Sequence, residues 1–268
     1  MQLRFLLTSL LMLLLWSQAT AWTIHADEQQ ALDKAAQRKF IDARRMANNA
    51  LDHKPGIVAR YVLSLVQSEA EGNLPRALFL VRQAKALLLE LEDLNYLSEL
   101  GRQWHRKLLS HELGILGHLD RRQEQLAVID QYDTVHEPKL TERRIWPMVK
   151  LGEYAAARQL GMSLLTHEEA SVRQRAFNGL MAVEEEAGNR QASFDWGLRA
   201  IEAGSAKSCV IQTNTALGAR RVFDFSRAIR IDLDALEAEQ KDCPTSPYAQ
   251  LAPVYLLCLL YTSPSPRD

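Results

Sequence analysis

The sequence predicts an all-α protein, an α-solenoid of about six antiparallel helix pairs preceded by a cleaved signal peptide. The first observation is helical periodicity, since small and apolar residues follow one face of a helix before Pro55 ends it. The residues on this face are Phe40, Ala43, Ala47 and Ala50. The second is a series of turn positions about 34 to 36 residues apart, with one step of about 45, which is typical of paired-helix solenoids. These positions are Arg38, Gly72, Gly117, Gly152, Gly188 and Phe223.

Residues 1–21 have the organisation of a secretory signal peptide. Met1–Arg4 carries one positive charge, Phe5–Trp16 is an uncharged apolar run, and Ala19-Thr20-Ala21 forms a cleavage site. Because the apolar run is too short to span a bilayer, we expect cleavage after Ala21. The mature chain would then begin at Trp22, in the periplasm of a bacterium or outside the cell. An uncleaved membrane anchor is the alternative.

The composition excludes some classes of partner. Lys and Arg total 32 and Asp and Glu total 33, so the net charge is near zero. No basic stripe of the kind that neutralises phosphates is present, and we expect no nucleic-acid partner. Aromatic residues make up only 7 % of the chain, which favours helices over strands. We also expect no stable membrane insertion of the mature chain.

The repeated units resemble those of the tetratricopeptide repeat family. That family has Gly at the turn between two helices, Ala five residues later, and often Pro near the end of the unit. Ala77 follows Gly72 at this spacing, and Ala157 follows Gly152. The resemblance covers about residues 28–250 and implies a solenoid whose first helices line a concave face. A related helical-pair repeat is the alternative.

The family's close-contact Ala predicts which small side chains are buried where the two helices of a unit cross. These are Ala43, Ala77, Ala157 and Ala228. The sequence also departs from the family pattern, because Arg122 stands where the third unit would have this Ala. Pro147 falls inside a presumed first helix, which we expect to begin after Pro147 or to kink there.

Motifs for catalysis or metal binding are missing from the sequence. His105, His111 and His118 lie on one predicted helix, but His111-Glu112 is followed by Ile115 where a zinc protease requires a second His. The sequence therefore predicts a protein that is not an enzyme and that has neither a cofactor nor a metal site. Trp104, Trp146 and Trp196 are interpreted as packing residues, with ligand anchoring as the alternative.

Cys209 and Cys243 lie one repeat apart. Equivalent positions of stacked helices are about 8–10 Å apart, whereas a disulfide requires Cα atoms within about 7 Å. We therefore expect two separate thiols, with a disulfide through a shifted loop as the alternative.

The C-terminal segment does not continue the repeats. A seventh unit would begin near Pro247, but Cys258–Asp268 resembles the translation of a sequencing-library adapter. We therefore expect a repeat domain at 22–257 that is truncated in its seventh unit, followed by a non-native tail at 258–268. A natural tail rich in Ser and Pro is the alternative.

The resemblance implies groove positions on the first helices of three units. They are Arg175 and Asn178 in the fifth unit, Thr213 and Arg220 in the sixth, and Glu142 and Trp146 in the fourth. An Asn amide at this place can hold a peptide backbone, because it has both a donor and an acceptor. For any one of these residues, an ordinary solvent-facing role is the alternative.

We therefore expect a secreted or periplasmic scaffold that binds a protein or peptide in its concave groove. The alternative is the N-terminal sensory or regulatory region of a larger signalling protein or enzyme whose C-terminal domain is missing.

Overall fold

The structure is a computed structural model that describes residues 22–51, 56–204, 208–224, 226–228 and 230–231. Within these ranges the regular elements are helices and no β-strand occurs, which confirms the prediction of an all-α protein. Among the same residues, no helix combines the length and the apolar character needed to cross a membrane. The predictions that concern residues 1–21, Cys243, the start of a seventh unit and the tail at 258–268 lie outside the described residues.

The helices follow one another through short connections. They are α1 (Ala26–Ala36), α2 (Phe40–Ala50), α3 (Ile57–Leu65), α4 (Leu74–Leu91), α5 (Glu99–His118), α6 (Arg122–Val135), α7 (Ile145–Lys150), α8 (Tyr154–Ser163), α9 (Ala170–Glu186), α10 (Arg190–Glu202) and α11 (Cys209–Arg221). A π-helical turn, Val66–Ala70, extends α3. Short 3₁₀ turns lie at Leu94–Tyr96, Thr141–Arg144 and Leu164–Thr166.

The chain forms two compact units that meet in sequence at Lys139 and Leu140. In the first unit, α1 packs on α2, α3 on α4, and α5 on α6. In the second unit, α7 packs on α8 and α9 on α10. The first helices of successive pairs also touch one another, α1 with α3 in the first unit, and α7 with α9 and α9 with α11 in the second. Both units are therefore built from helix pairs that pack side by side.

A residue in the left-handed conformation ends the first helix of each pair. These residues are Arg38, Gly72, Asp120, Gly152, Gly188 and Phe223, with φ between 58° and 82°. At Gly188, its N–H donates to the Glu185 carbonyl, and the N–H of Asn189 donates to the Glu184 carbonyl. The same two bonds recur at all of these turns except the one at Gly72, so carbonyls at the helix end are satisfied in the same way.

The third turn differs from its predicted position. Gly117 lies inside α5, and the chain turns at Asp120 instead. The prediction of Gly117 as the turn residue is wrong because the short polar side chain of Asp also tolerates the left-handed conformation. Gly117 instead makes room for the next helix, since a Cβ atom there would lie 2.8 Å from Nε2 of Gln125. The step that begins at Gly72 is therefore about 48 residues long, and the next is about 32.

The predicted close-contact alanines are buried. Ala43, Ala77 and Ala157 expose none of their surface, and Ala228 exposes 1 %. Each lies five residues after a left-handed turn residue, where the second helix of a pair crosses the first. This part of the sequence prediction is confirmed.

Polar residues occupy the same position in two other pairs and bond across the helix crossing. Counted from Asp120, the third pair has Gln125 here, so the assignment of Arg122 to this position is wrong. Nε2 of Gln125 donates to the Leu113 carbonyl at 3.2 Å. In the fifth pair, Ser193 lies five residues after the turn residue Gly188. Its Oγ donates to the Met181 carbonyl at 2.9 Å. A polar side chain is therefore accommodated because the first helix provides an acceptor.

Pro147 lies in the first turn of α7, which begins at Ile145 after the 3₁₀ turn. The prediction that the helix begins after Pro147 or kinks there therefore differs from the structure. The first N–H groups of any helix have no partner within it, so Pro removes no helical hydrogen bond at this place.

An aromatic cluster fills the core of the first unit. Trp104 on α5 is 4 % exposed, and the rings of Trp22 and Tyr61 meet it edge-on, with centroids 6.3 and 5.4 Å away. Lys107 Nζ lies 4.8 Å from the centre of the Trp104 ring. Trp104 is therefore a packing residue of the core.

Candidate functional site

A groove of about 450 Å³ opens in the second unit. The first helices of successive pairs, α7, α9 and α11, provide most of its walls. Its lining consists of Glu142, Ile145, Trp146, Arg175, Asn178, Gly179, Met181, Ala182, Glu185, Glu186, Ser193, Asn214, Leu217, Gly218 and Arg221. The groove therefore presents one face of each of three neighbouring helices.

Glycines let the helices approach one another along the groove. A Cβ atom on Gly179 of α9 would lie 2.7 Å from Cγ2 of Ile145. A Cβ atom on Gly218 of α11 would lie 3.4 Å from Cα of Phe194 on α10. With these glycines, Met181, Ala182 and Leu217 form an apolar surface that we call the floor. Burial of a ligand side chain on such a surface stabilises a complex by about 25 cal/mol per Å².

The charged side chains of the groove are paired with one another. Glu142, whose side chain is 4 % exposed, accepts a hydrogen bond from Nη1 of Arg175 at 2.5 Å. Glu185 pairs with Arg221, and Glu186 pairs with Lys150 beside the groove. These three pairs cancel in charge, so the groove does not select a strongly charged ligand.

An amide pair spans the groove from α9 to α11. Nδ2 of Asn214 donates to Oδ1 of Asn178 at 2.7 Å. Each Asn amide has two donors and a carbonyl oxygen with two lone pairs. This bond leaves the NH₂ group of Asn178 and the carbonyl oxygen of Asn214 able to bind a ligand. One donor group and one acceptor match the C=O and N–H of a peptide backbone.

Trp146 provides an aromatic surface at the groove. It is 46 % exposed, which is unusual for so large an apolar side chain. Lys150 Nζ lies 4.7 Å from the centre of the Trp146 ring, so a cation–π contact fixes the indole in place. Trp196, in contrast, is half-buried and packs near the Phe177 ring.

The structure brings four of the predicted groove residues together. Glu142, Trp146, Arg175 and Asn178 all line the groove. The predicted residues of the sixth unit, Thr213 and Arg220, are half-buried and are not part of the lining. A binding role for these two residues stays a prediction.

The residues of α11 that do line the groove come one position later. The lining contains Asn214 and Arg221, each of which directly follows a predicted residue, Thr213 or Arg220. One position along the chain corresponds to about 100° of rotation around a helix. Counting from the turn at Phe223 does not fix this rotation, because it depends on how α11 packs on α9. The spacing of about 36 residues between Asn178 and Asn214 was a sequence signal that could have found the amide pair.

Two histidines of α5, His105 and His111, contact neighbouring parts of the first unit. Nε2 of His111 lies 2.9 Å from Oγ of Ser64, and that hydroxyl donates to the Ala77 carbonyl at 2.7 Å. Ser64 is fully buried, so this Ser–His contact is not placed to attack a substrate. Burial lowers the pKa of His111 to about 4, with the Ser64 hydrogen bond acting weakly in the opposite direction. His118, at the end of α5, is exposed.

In the described part of the chain, no three His, Cys, Asp or Glu side chains come together in a way that could hold a metal ion. No family model matches the chain, and no curated protein matches it at a significant level. A function for this protein is therefore inferred from its groove.

Proposed function

We propose that this protein is a secreted or periplasmic helical-repeat scaffold that binds an extended peptide segment in the groove of the second unit. The observation that carries the proposal is the Asn178–Asn214 amide pair, which lines the groove together with apolar floor residues and an exposed Trp146. Backbone-reading amides beside an apolar surface suit a peptide better than a small charged metabolite.

The proposal includes an α-solenoid architecture of the tetratricopeptide type. Its support is the left-handed turn that recurs in every described pair, with a buried small or hydrogen-bonded residue five positions later. Contacts between the first helices of successive pairs are also what this architecture requires. A solenoid presents its first helices on one surface, and the groove is lined mainly by first helices.

The peptide would be read in two ways. The amide pair would bond to one backbone C=O and one N–H, which fixes the direction and depth of the segment. An apolar side chain of the segment would pack on the floor and against Trp146. The paired charges around the groove would have little preference between acidic and basic peptides, because each is already neutralised.

The test begins with a peptide-display selection on the purified protein and continues with calorimetry on the selected peptide. We expect Asn178→Ala and Asn214→Ala each to weaken binding about tenfold, which corresponds to about 1.4 kcal/mol. Thr213→Ala is the matched control, since Thr213 is the neighbour of Asn214 on α11 but lies outside the groove, and it should leave the affinity unchanged. If the Asn variants bind as well as the parent protein, or if Thr213→Ala weakens binding equally, the groove is not the binding site.

Secretion is the second part of the proposal and has its own test. The support is the charged start, the apolar run and the cleavage motif of residues 1–21. N-terminal sequencing of protein exported by a bacterial host should begin at Trp22. Material that begins at Met1 would contradict processing, without bearing on the groove.

A further inference from the structure

A pair of buried histidines joins the end of α6 to the middle of α5. Nδ1 of His105, on α5, lies 3.0 Å from Nε2 of His136, at the C-terminal end of α6. Both side chains are 2 % exposed. The N–H of His136 donates to the Tyr132 carbonyl at 2.8 Å, so the imidazole is attached directly to the last turn of the helix. The chain passes into the second unit three residues later, at Lys139 and Leu140.

The second ring nitrogen of His136 has no hydrogen-bond partner. Its Nδ1 is buried, and no acceptor lies within reach of it in the described part of the chain. A neutral imidazole can share one hydrogen with His105 through Nε2. A protonated imidazole must donate from both nitrogens, and the added N–H would be buried without an acceptor. Protonation of His136 is therefore unfavourable unless Nδ1 reaches water and can donate to it.

The charges around the pair also oppose protonation. Arg102 and Arg106 of α5 act on His136, and Lys85 of α4 acts on His105. The ring of Tyr132, on α6, lies 4.9 Å from the His136 ring.

One carboxylate near the pair has the opposite sign. Glu112 of α5 favours protonation of His105 but is already bonded to Arg82 and Lys85, at 2.7 and 2.5 Å. Lys85 is therefore paired with Glu112, and Nε of Arg102 lies 3.9 Å from a carboxylate oxygen of Glu99, so these two cations are partly neutralised.

These surroundings lower the pKa of both imidazoles. Burial is the main cause for His105, whose pKa falls from 6.5 to about 4, followed by the effect of His136. Burial also lowers the pKa of His136, assisted by Arg106 and Arg102. A folded-state pKa below the unfolded value means that the contact stabilises the fold at pH above about 6.5. That contribution is lost as the pH falls towards 4.

We infer that the His105–His136 contact is an acid-sensitive latch, which holds the end of α6 on α5 while both imidazoles are neutral and releases it when the pair takes up a proton. Release would free the last turn of α6 and the segment that leads to Lys139. Nη2 of Arg106 also donates to the Glu137 carbonyl at 3.1 Å, and this bond is exposed to solvent. The inference does not depend on the proposed function of the groove.

Hydrogen–deuterium exchange of the full chain tests the latch at pH 7 and pH 5. After correction for the intrinsic exchange rate, peptides that cover the last turn of α6 should lose about 20-fold in protection in the parent protein. In the double variant His105→Gln/His136→Gln, which keeps two hydrogen-bonding side chains but has no imidazole of the pair to protonate, the loss should stay below about threefold. His118→Gln removes an exposed histidine of α5 and should behave like the parent protein.

Two results would overturn the latch. One is a parent protein whose α6 end keeps its protection at pH 5, and the other is a double variant, His105→Gln/His136→Gln, that loses protection as strongly as the parent. If the double variant fails to fold at pH 7, NMR titration of the parent imidazoles decides instead. There we expect proton uptake below about pH 5, coupled to chemical-shift changes in the backbone of α6. Titration of both rings near 6.5 without such changes would refute the latch.

Discussion

The two units use the same pairing of helices with side chains of different size. In the first unit, large residues fill the space where first helices meet, as Tyr61 of α3 does against Trp104 and His111 of α5. In the second unit, Gly179 of α9 lies against Ile145 of α7, Gly218 of α11 lies against Phe194 of α10, and a groove lined also by Ala182 remains. The comparison teaches that residue size along the first helices decides whether a unit has a filled interior or an open groove.

The largest expected effect is on a buried charge of the first unit. Glu112 is 2 % exposed and bonds to both Arg82 and Lys85. Glu112→Ala should lower the free energy of unfolding by about 3–5 kcal/mol, because it leaves a cavity, takes the carboxylate partner of Lys85 and leaves Arg82 with Glu124 alone. Urea denaturation measures this loss. Asp42→Ala, which removes an exposed ion pair with Arg45, is the control and should change it by less than about 1 kcal/mol.

Acid should weaken the first unit before the second. The low pKa of His111 means that its stabilising contribution, on the order of 3 kcal/mol, is lost as the pH falls from about 6.5 to 4. In the second unit, hydrogen bonds from Arg158 and Asn189 lower the pKa of Glu184, so its contribution is lost only below about 4.5. Hydrogen exchange should show α5 opening at higher pH than α9. Simultaneous opening of both helices would contradict this order.

Overpacking should test the helix crossing in the second unit. Ala157→Leu places a large side chain where the second helix meets the first, and we expect a loss of about 1–3 kcal/mol. Ala156→Leu adds the same side chain to an exposed position of the same helix. A thermal melt should separate the two variants by several degrees. Equal melting temperatures would mean that the two helices can move apart at Ala157 without a loss of stability.

The smallest expected changes in stability come from substitutions of the turn residues. Gly152 has a φ of +79°, and a Cβ atom there would meet nothing within 4 Å, so Gly152→Ala tests backbone strain alone. We expect a loss of about 1 kcal/mol. Arg38 has a similar φ without being glycine, and Arg38→Gly should raise stability by up to about 1 kcal/mol. Chemical denaturation of both variants should therefore give changes of opposite sign.

The sequence predicted well what depends on helical spacing. The burial of Ala43 and Ala157 follows from their distance to a turn residue, and this distance is a local property. The turn at Asp120 was missed because Gly is not the only residue that adopts the left-handed conformation. Because the turn lies at Asp120 and not at Gly117, the buried position five residues later is Gln125 and not Arg122.

Long-range features could not be predicted in the same way. His105 and His136 lie 31 positions apart and belong to no repeated pattern, so their contact appears only when α5 packs on α6. Glu142 was predicted as a groove residue, but its burial and its bond to Arg175 depend on the packing of α9 against the segment before α7. The rotation of α11, which brings Asn214 into the groove in place of Thr213, is likewise set by packing.

The tryptophans give each unit its own optical reporter. Trp22 and Trp104 are buried together in the first unit, whereas Trp146 is 46 % exposed in the groove of the second. Acrylamide should therefore quench the emission of Trp146 far more than that of the buried pair. A peptide that covers Trp146 would shield it from the quencher and shift its emission to shorter wavelength, while the first unit would emit as before. Occupancy of the groove can thus be followed in the unlabelled protein by its intrinsic tryptophan fluorescence.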